Sequence, residues 1–155
     1  MDKERILIKI DRLDGYLHEL HDIMPENYET YQKIEKKRAC ERLLQVSVES
    51  VLDICAQIVI ELRLGLPSEE DDIFEKLEQA KVMSSVAKEK LKRMRGFRNI
   101  LVHEYGHIDD RLVYGLLKNN MEDFDSIRKE IIAALKLFRT TRSGEKRAFR
   151  KKPMA

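Results

Sequence analysis

Arg98, Asn99, His103 and Tyr105 share one stretch, Arg98-Asn99-Ile100-Leu101-Val102-His103-Glu104-Tyr105, and each brings a different polar chemistry. An imidazole titrates close to neutral pH, so His103 can take or give a proton. Arg98 is a permanent cation whose planar fork can hold a phosphate at two points. Together they can cleave RNA without a metal: His103 handles the proton of a 2′-hydroxyl or a leaving oxygen while Arg98 neutralises charge growing on the phosphate. One histidine is thin for both proton transfers. A two-fold dimer brings a second His103 and Arg98 to the same cleft.

On an ideal helix Arg98 and Tyr105, seven apart, are almost aligned, and Asn99 and His103, four apart, form a neighbouring stripe. Taken alone, such spacing most often marks nothing more than a solvated helix face. His103-Glu104-Tyr105-Gly106-His107 also fits H-E-x-x-H, in which two histidines one turn apart bind zinc and the glutamate activates water. Gly106 inside the pattern, the polar Asp109-Asp110 pair after it and the lack of a third downstream histidine argue against that reading. His18 and His21, three apart among charged residues, read as surface rather than half a metal site. No metal or cofactor is expected.

The elements that must carry these residues read as helices. Ile6, Ile10, Leu13, Leu17, Leu20 and Met24 alternate spacings of four and three, predicting a helix over about 3–24 that Pro25 ends. Asn27 can cap a second helix that becomes apolar on most sides between Leu43 and Leu64, with Gly65-Leu66-Pro67 as its stop. Glu49 and Asp53 on that helix are candidates to orient Arg98. Ser68 with Asp71 resembles a capping box for a short helix to about Lys81. Ser84 or Ser85 then caps a helix whose Ala87, Leu91, Met94 and Leu101 stripe leads into the motif. Asp109 or Asp110 starts a further segment, which the Asn119-Asn120 pair can divide, and Phe124, Ile127, Ile131, Ala134 and Phe138 close the apolar pattern.

Composition agrees with an all-α fold, an up-down bundle of about five helices: 37% of residues are charged, 6% are aromatic and no strand alternation is visible. Residues 1–138 read as one helical domain. Residues 139–155 carry seven Lys/Arg against one acid and have lost the apolar period, predicting a basic, disordered tail. Without a signal-like N-terminus or a run of about 18 uninterrupted apolar residues, a cytoplasmic protein with no membrane partner is expected. Cys40 and Cys55 are about 22 Å apart on one helix and cannot pair within a chain.

The run Met94-Arg95-Gly96-Phe97-Arg98-Asn99-Ile100-Leu101-Val102-His103-Glu104-Tyr105 resembles the RxxxxHxY signature of the HepT-type toxins in the HEPN superfamily. The helix ending in Gly65-Leu66-Pro67, and Ile108-Asp109-Asp110 through Tyr114, are similar to the family's surroundings of that motif. The resemblance implies a helical bundle dimerising through the motif helix, and a toxin of a toxin-antitoxin pair. It assigns ribonuclease roles to Arg98 and His103, with Asn99 supporting them. It further implies a minimal nucleotidyltransferase antitoxin that adds AMP to Tyr105 and so blocks RNA by charge and bulk. The competing reading from another class is a non-catalytic helical subunit that serves as docking partner or substrate of such a nucleotidyltransferase.

Overall fold

Ile6, Ile10, Leu13 and Leu20 are buried along one face of α1, Lys3–Asp22, in the computed structural model, which describes residues 2–103 and 108–151. Asp2 caps this helix, its Oδ1 accepting the Arg5 N–H at 3.1 Å. The apolar stripe faces α3, Ile34–Glu61, the longest packing contact in the fold. Eleven residues of α3 are buried, on more than one side, because α1, α4 (Glu70–Gln79) and α5 (Ser85–His103) all pack against it. By length and composition α3 could cross a bilayer, but Val48, Val51, Ile54 and Ile58 are buried against these neighbours, as in a core helix.

The described residues form seven helices where the sequence predicts about five. One difference lies at Asn27, which caps a single turn, α2 (Tyr28–Tyr31), and not the long helix. Lys33 is extended at φ −61°, ψ 127°, so the chain breaks before α3 begins. The break lets Tyr31 bury completely and pack its ring 5.9 Å from Tyr114 of α6, Asp110–Asn119. The other difference was legible: the chain turns at Asn120 and resumes as α7, Glu122–Lys151.

Helix ends supply a second correction. Gly65 does not terminate α3; Arg63 does, at φ 53°, with Leu64 N–H donating to Val59 O at 3.0 Å and Arg63 N–H to Ile60 O at 3.1 Å. The end of α4 repeats the motif with Lys81 at φ 60°. The Ser68–Asp71 capping box is also absent: Glu69 takes the cap position without a side-chain bond, and Ser68 N–H donates to Asp72 instead. Ser84 and Asp109 cap α5 and α6 as their sequence positions indicate.

α7 packs on α5 and is tied to α1 by Arg128, whose Nε and Nη2 donate to the two carboxylate oxygens of Asp14 at 2.7 and 2.8 Å. Its helical backbone runs on to Lys151, through most of the segment for which the sequence predicts a disordered tail. Lysine, arginine, glutamate and alanine are good helix formers, and no proline interrupts them before Pro153. Cys40 and Cys55 are both free and buried on α3, and burial pushes the Cys55 thiol up to about 12.

Candidate active site

α5 carries two faces with different partners. Ala87, Leu91, Met94 and Leu101 turn to the core, holding the helix on α3. Lys88, Lys92, Arg95 and Arg98, at spacings of four, three and three, form a basic edge against α4. The pairing order shows that the two helices run antiparallel: Arg98 meets Glu70, Arg95 meets Asp71 at 2.8 Å, Lys92 meets Glu75 at 3.1 Å, and Lys88 meets Glu75 and Glu78 at 3.3 and 3.1 Å. Glu70 and Asp71 of α4's first turn therefore stand beside Arg98 and Arg95 of α5, where they also complement α4's own dipole. Hydrogen bonds from Lys92 and Lys88 hold the Glu75 carboxyl below its ordinary range, and Glu78 raises the Lys88 ammonium.

The start of α5 is fixed just as firmly. Ser84 Oγ accepts the Ala87 N–H, while Ser84 itself donates from backbone and hydroxyl to the carboxylate of Glu130 on α7. Capping, core stripe and ion-pair edge together give α5 little freedom to turn about its axis.

Arg98 is mostly shielded, with 18% of its side chain exposed. Its guanidinium is held on one side by two partners: Nε donates to Asn99 Oδ1 at 3.0 Å, and Nη2 donates to Glu70 Oε1. Glu49 and Asp53, the acids the sequence offers as partners of Arg98, are engaged elsewhere. Glu49 accepts from Gln45 at 3.1 Å, and Asp53 is exposed and paired with Lys9. Both sit on α3, whereas the Arg98 edge faces α4.

His103 is the last described residue of α5 and is exposed. Five positions on a helix amount to about 140° around the axis and about 7.5 Å along it. Arg98 and His103 of one chain therefore point in different directions, whereas Arg98 and Asn99 are brought together. Tyr105, and His107 of the H-E-x-x-H pattern, fall within 104–107, outside the described residues. Among the described residues no group of three or more His, Cys, Asp or Glu is arranged to hold a metal ion. His18 lies 3.5 Å from Asp22 on an exposed face.

The capped helix that carries Arg98, Asn99 and His103 lies within the stretch that a family model matches. The family model described as Ribonuclease HepT-like covers residues 13–131. The chain belongs to this family. The match begins within α1 and ends within α7, so it takes in every element that positions the motif helix.

Individual relatives carry the same description. The mRNA nuclease HepT of Shewanella oneidensis is 33% identical over 82 residues, which are 53% of this chain and 62% of that protein, so the aligned part spans less than two thirds of it. The tRNA nuclease HepT of Aphanizomenon flos-aquae is 25% identical over 122 residues, 79% of this chain and 82% of its own length. Among solved structures, the tri-AMPylated HEPN toxin of Shewanella oneidensis in complex with the MNT antitoxin superposes with a TM-score of 0.76 at 26% identity. That superposition covers 83% of this chain and 96% of that one.

Glu70 is the residue that sequence reasoning missed. Its only signal is the acidic run Glu69-Glu70-Asp71-Asp72, which reads as a helix start and says nothing about a partner 28 positions away.

Proposed function

We propose that the chain is the toxin of a toxin-antitoxin pair: a cytoplasmic, homodimeric, metal-independent endoribonuclease. The observation that carries this reading is the fixed Arg98 guanidinium, held by Asn99 and Glu70 about 1.4 turns before an exposed His103. The nuclease descriptions of the Shewanella and Aphanizomenon relatives support it.

In this mechanism the imidazole of one His103 removes the proton of a ribose 2′-hydroxyl. The 2′ oxygen attacks the adjacent phosphorus, and the bond to the 5′ oxygen breaks. The second His103, from the partner subunit, protonates that leaving oxygen. Products are a 2′,3′-cyclic phosphate and a 5′-hydroxyl. Arg98 stabilises the extra negative charge on the non-bridging phosphate oxygens, and the clamp on its guanidinium removes the need to reorient as that charge develops. The divergence of Arg98 and His103 on a single helix favours a site assembled from two chains.

Tyr105 is the acceptor of AMP in the same reading, which the AMPylated state of the Shewanella toxin supports. The phenol oxygen attacks the α-phosphorus of ATP, pyrophosphate leaves, and the proton passes to a base of the nucleotidyltransferase partner. The added phosphate then stands seven residues from Arg98 on the motif, where it competes with RNA.

The test is RNA cleavage by the purified chain, with and without chelator, beside His103→Ala. Cleavage that survives the chelator and is abolished by the substitution is expected. Equal rates for the two proteins would remove the nuclease reading.

A further inference from the structure

We propose that Glu70 is the positioning residue of Arg98, and this rests on the ribonuclease reading above. A guanidinium offers five N–H donors in one plane. In this structure Asn99 occupies Nε and Glu70 occupies one hydrogen of Nη2, so two neighbouring donors on one edge are taken by the protein. The outward N–H of Nη1 and the remaining N–H of Nη2 make up the end of the fork, which is left for two phosphate oxygens. Without Glu70 the guanidinium is held only by Asn99, at the atom nearest its rotation axis, and turns about the Cδ–Nε bond.

Glu70 is itself well placed to hold still. It lies in the first turn of α4, a helix fastened to the fold by buried Phe74 and Leu77 and by the Asp71–Arg95 and Glu75–Lys92 pairs. Those contacts do not involve Glu70, so its substitution leaves α4 in place. The Glu70 side chain is 41% exposed against 18% for Arg98. The carboxylate thus approaches Arg98 from the solvent side, and it bears on the arginine more than on the core.

A carboxylate beside the phosphate site has two separable effects. It orients the cation, which favours the chemical step, and its negative charge opposes RNA, which weakens binding. Loss of Glu70 should therefore lower kcat while leaving the KM for RNA unchanged or reduced. A misplacement of about 1 Å can cost about 100-fold in rate. A purely structural contact would not split kcat from KM in this way.

The experiment measures kcat and KM for RNA cleavage by the full-length wild type, Glu70→Ala and Glu70→Gln. It is paired with the NMR signal of the Arg98 Nε–H, assigned by its loss in Arg98→Lys. A fall of about 10- to 100-fold in kcat is expected for Glu70→Ala. Glu70→Gln should recover part of that loss, because its amide oxygen still accepts from Nη2. The Nε–H signal should broaden or exchange faster in Glu70→Ala. An unchanged or increased kcat in Glu70→Ala overturns the proposal. If the wild type cleaves no RNA, the nuclease reading fails by itself. The Nε–H signal still decides whether Glu70 holds the guanidinium, and an identical signal in Glu70→Ala sinks the positioning role.

Discussion

Lys37, in the first turn of α3, meets Asp110, the first residue of α6, at 2.7 Å across 73 positions of chain. The two side chains are only 18% and 27% exposed, so the pair is partly withdrawn from water. It ties the start of α6 to the start of α3. Lys37→Met leaves Asp110 without its cation and should cost about 1 to 2 kcal/mol in urea unfolding. Unchanged stability would mean that Asp109 capping alone sets the start of α6.

If one cleft needs the histidines of two chains, a subunit lacking His103 spoils its partner. Co-refolding wild type with a growing share of His103→Ala should make activity fall as the square of the wild-type fraction. A linear fall would place a complete site in each chain. Because His103 is exposed, the substitution itself should shift the melting temperature little.

The apolar stripes of α1 and α5 were legible because burial along one face imposes a period that the residues print directly. The motif was legible by another route, its resemblance to the RxxxxHxY signature, because its spacing alone most often marks a solvated helix face. The partner of Arg98 was not legible. Which acid meets Arg98 depends on the antiparallel register of α4 on α5, a relation between two helices that neither sequence segment contains. Asp53 was the plausible choice on an apolar helix, yet it faces Lys9 of α1. The break before α3 was hidden because the burial of Tyr31 depends on Tyr114, 83 positions on. Residues 139–151 differ for another reason: loss of an apolar period removes the evidence for packing, but it does not oppose helical backbone.

Both Arg63 and Lys81 take the left-handed conformation that a Schellman ending requires, at a position where glycine is the usual residue. A residue with a Cβ costs about 1 to 2 kcal/mol there, offset in part by glycine's greater entropy in the unfolded chain. Lys81 is exposed, so Lys81→Gly removes the strain and little else. A gain of about 0.5 kcal/mol is expected in denaturant unfolding. Lys81→Val, which is stiffer, should lose stability. The opposite order would show that the Lys81 side chain makes a compensating contact.

The α4–α5 edge should also make the fold sensitive to acid, with a sign that follows from Glu75. Its carboxyl lies below the ordinary range because Lys92 and Lys88 donate to it, so the folded state favours the ionised form. That contribution is fully present above the carboxylate's unfolded pKa and is lost as pH falls through the lower, folded one. Wild type should therefore exceed Glu75→Gln in stability at neutral pH, and the difference should shrink on acidification through and below the carboxylate range. Salt screens pairs that water still reaches, so the gap should narrow at high ionic strength as well. A difference that stays constant from neutral to acid pH would mean that Glu75 acts through packing of its side-chain stem, with the charge of the carboxylate contributing nothing.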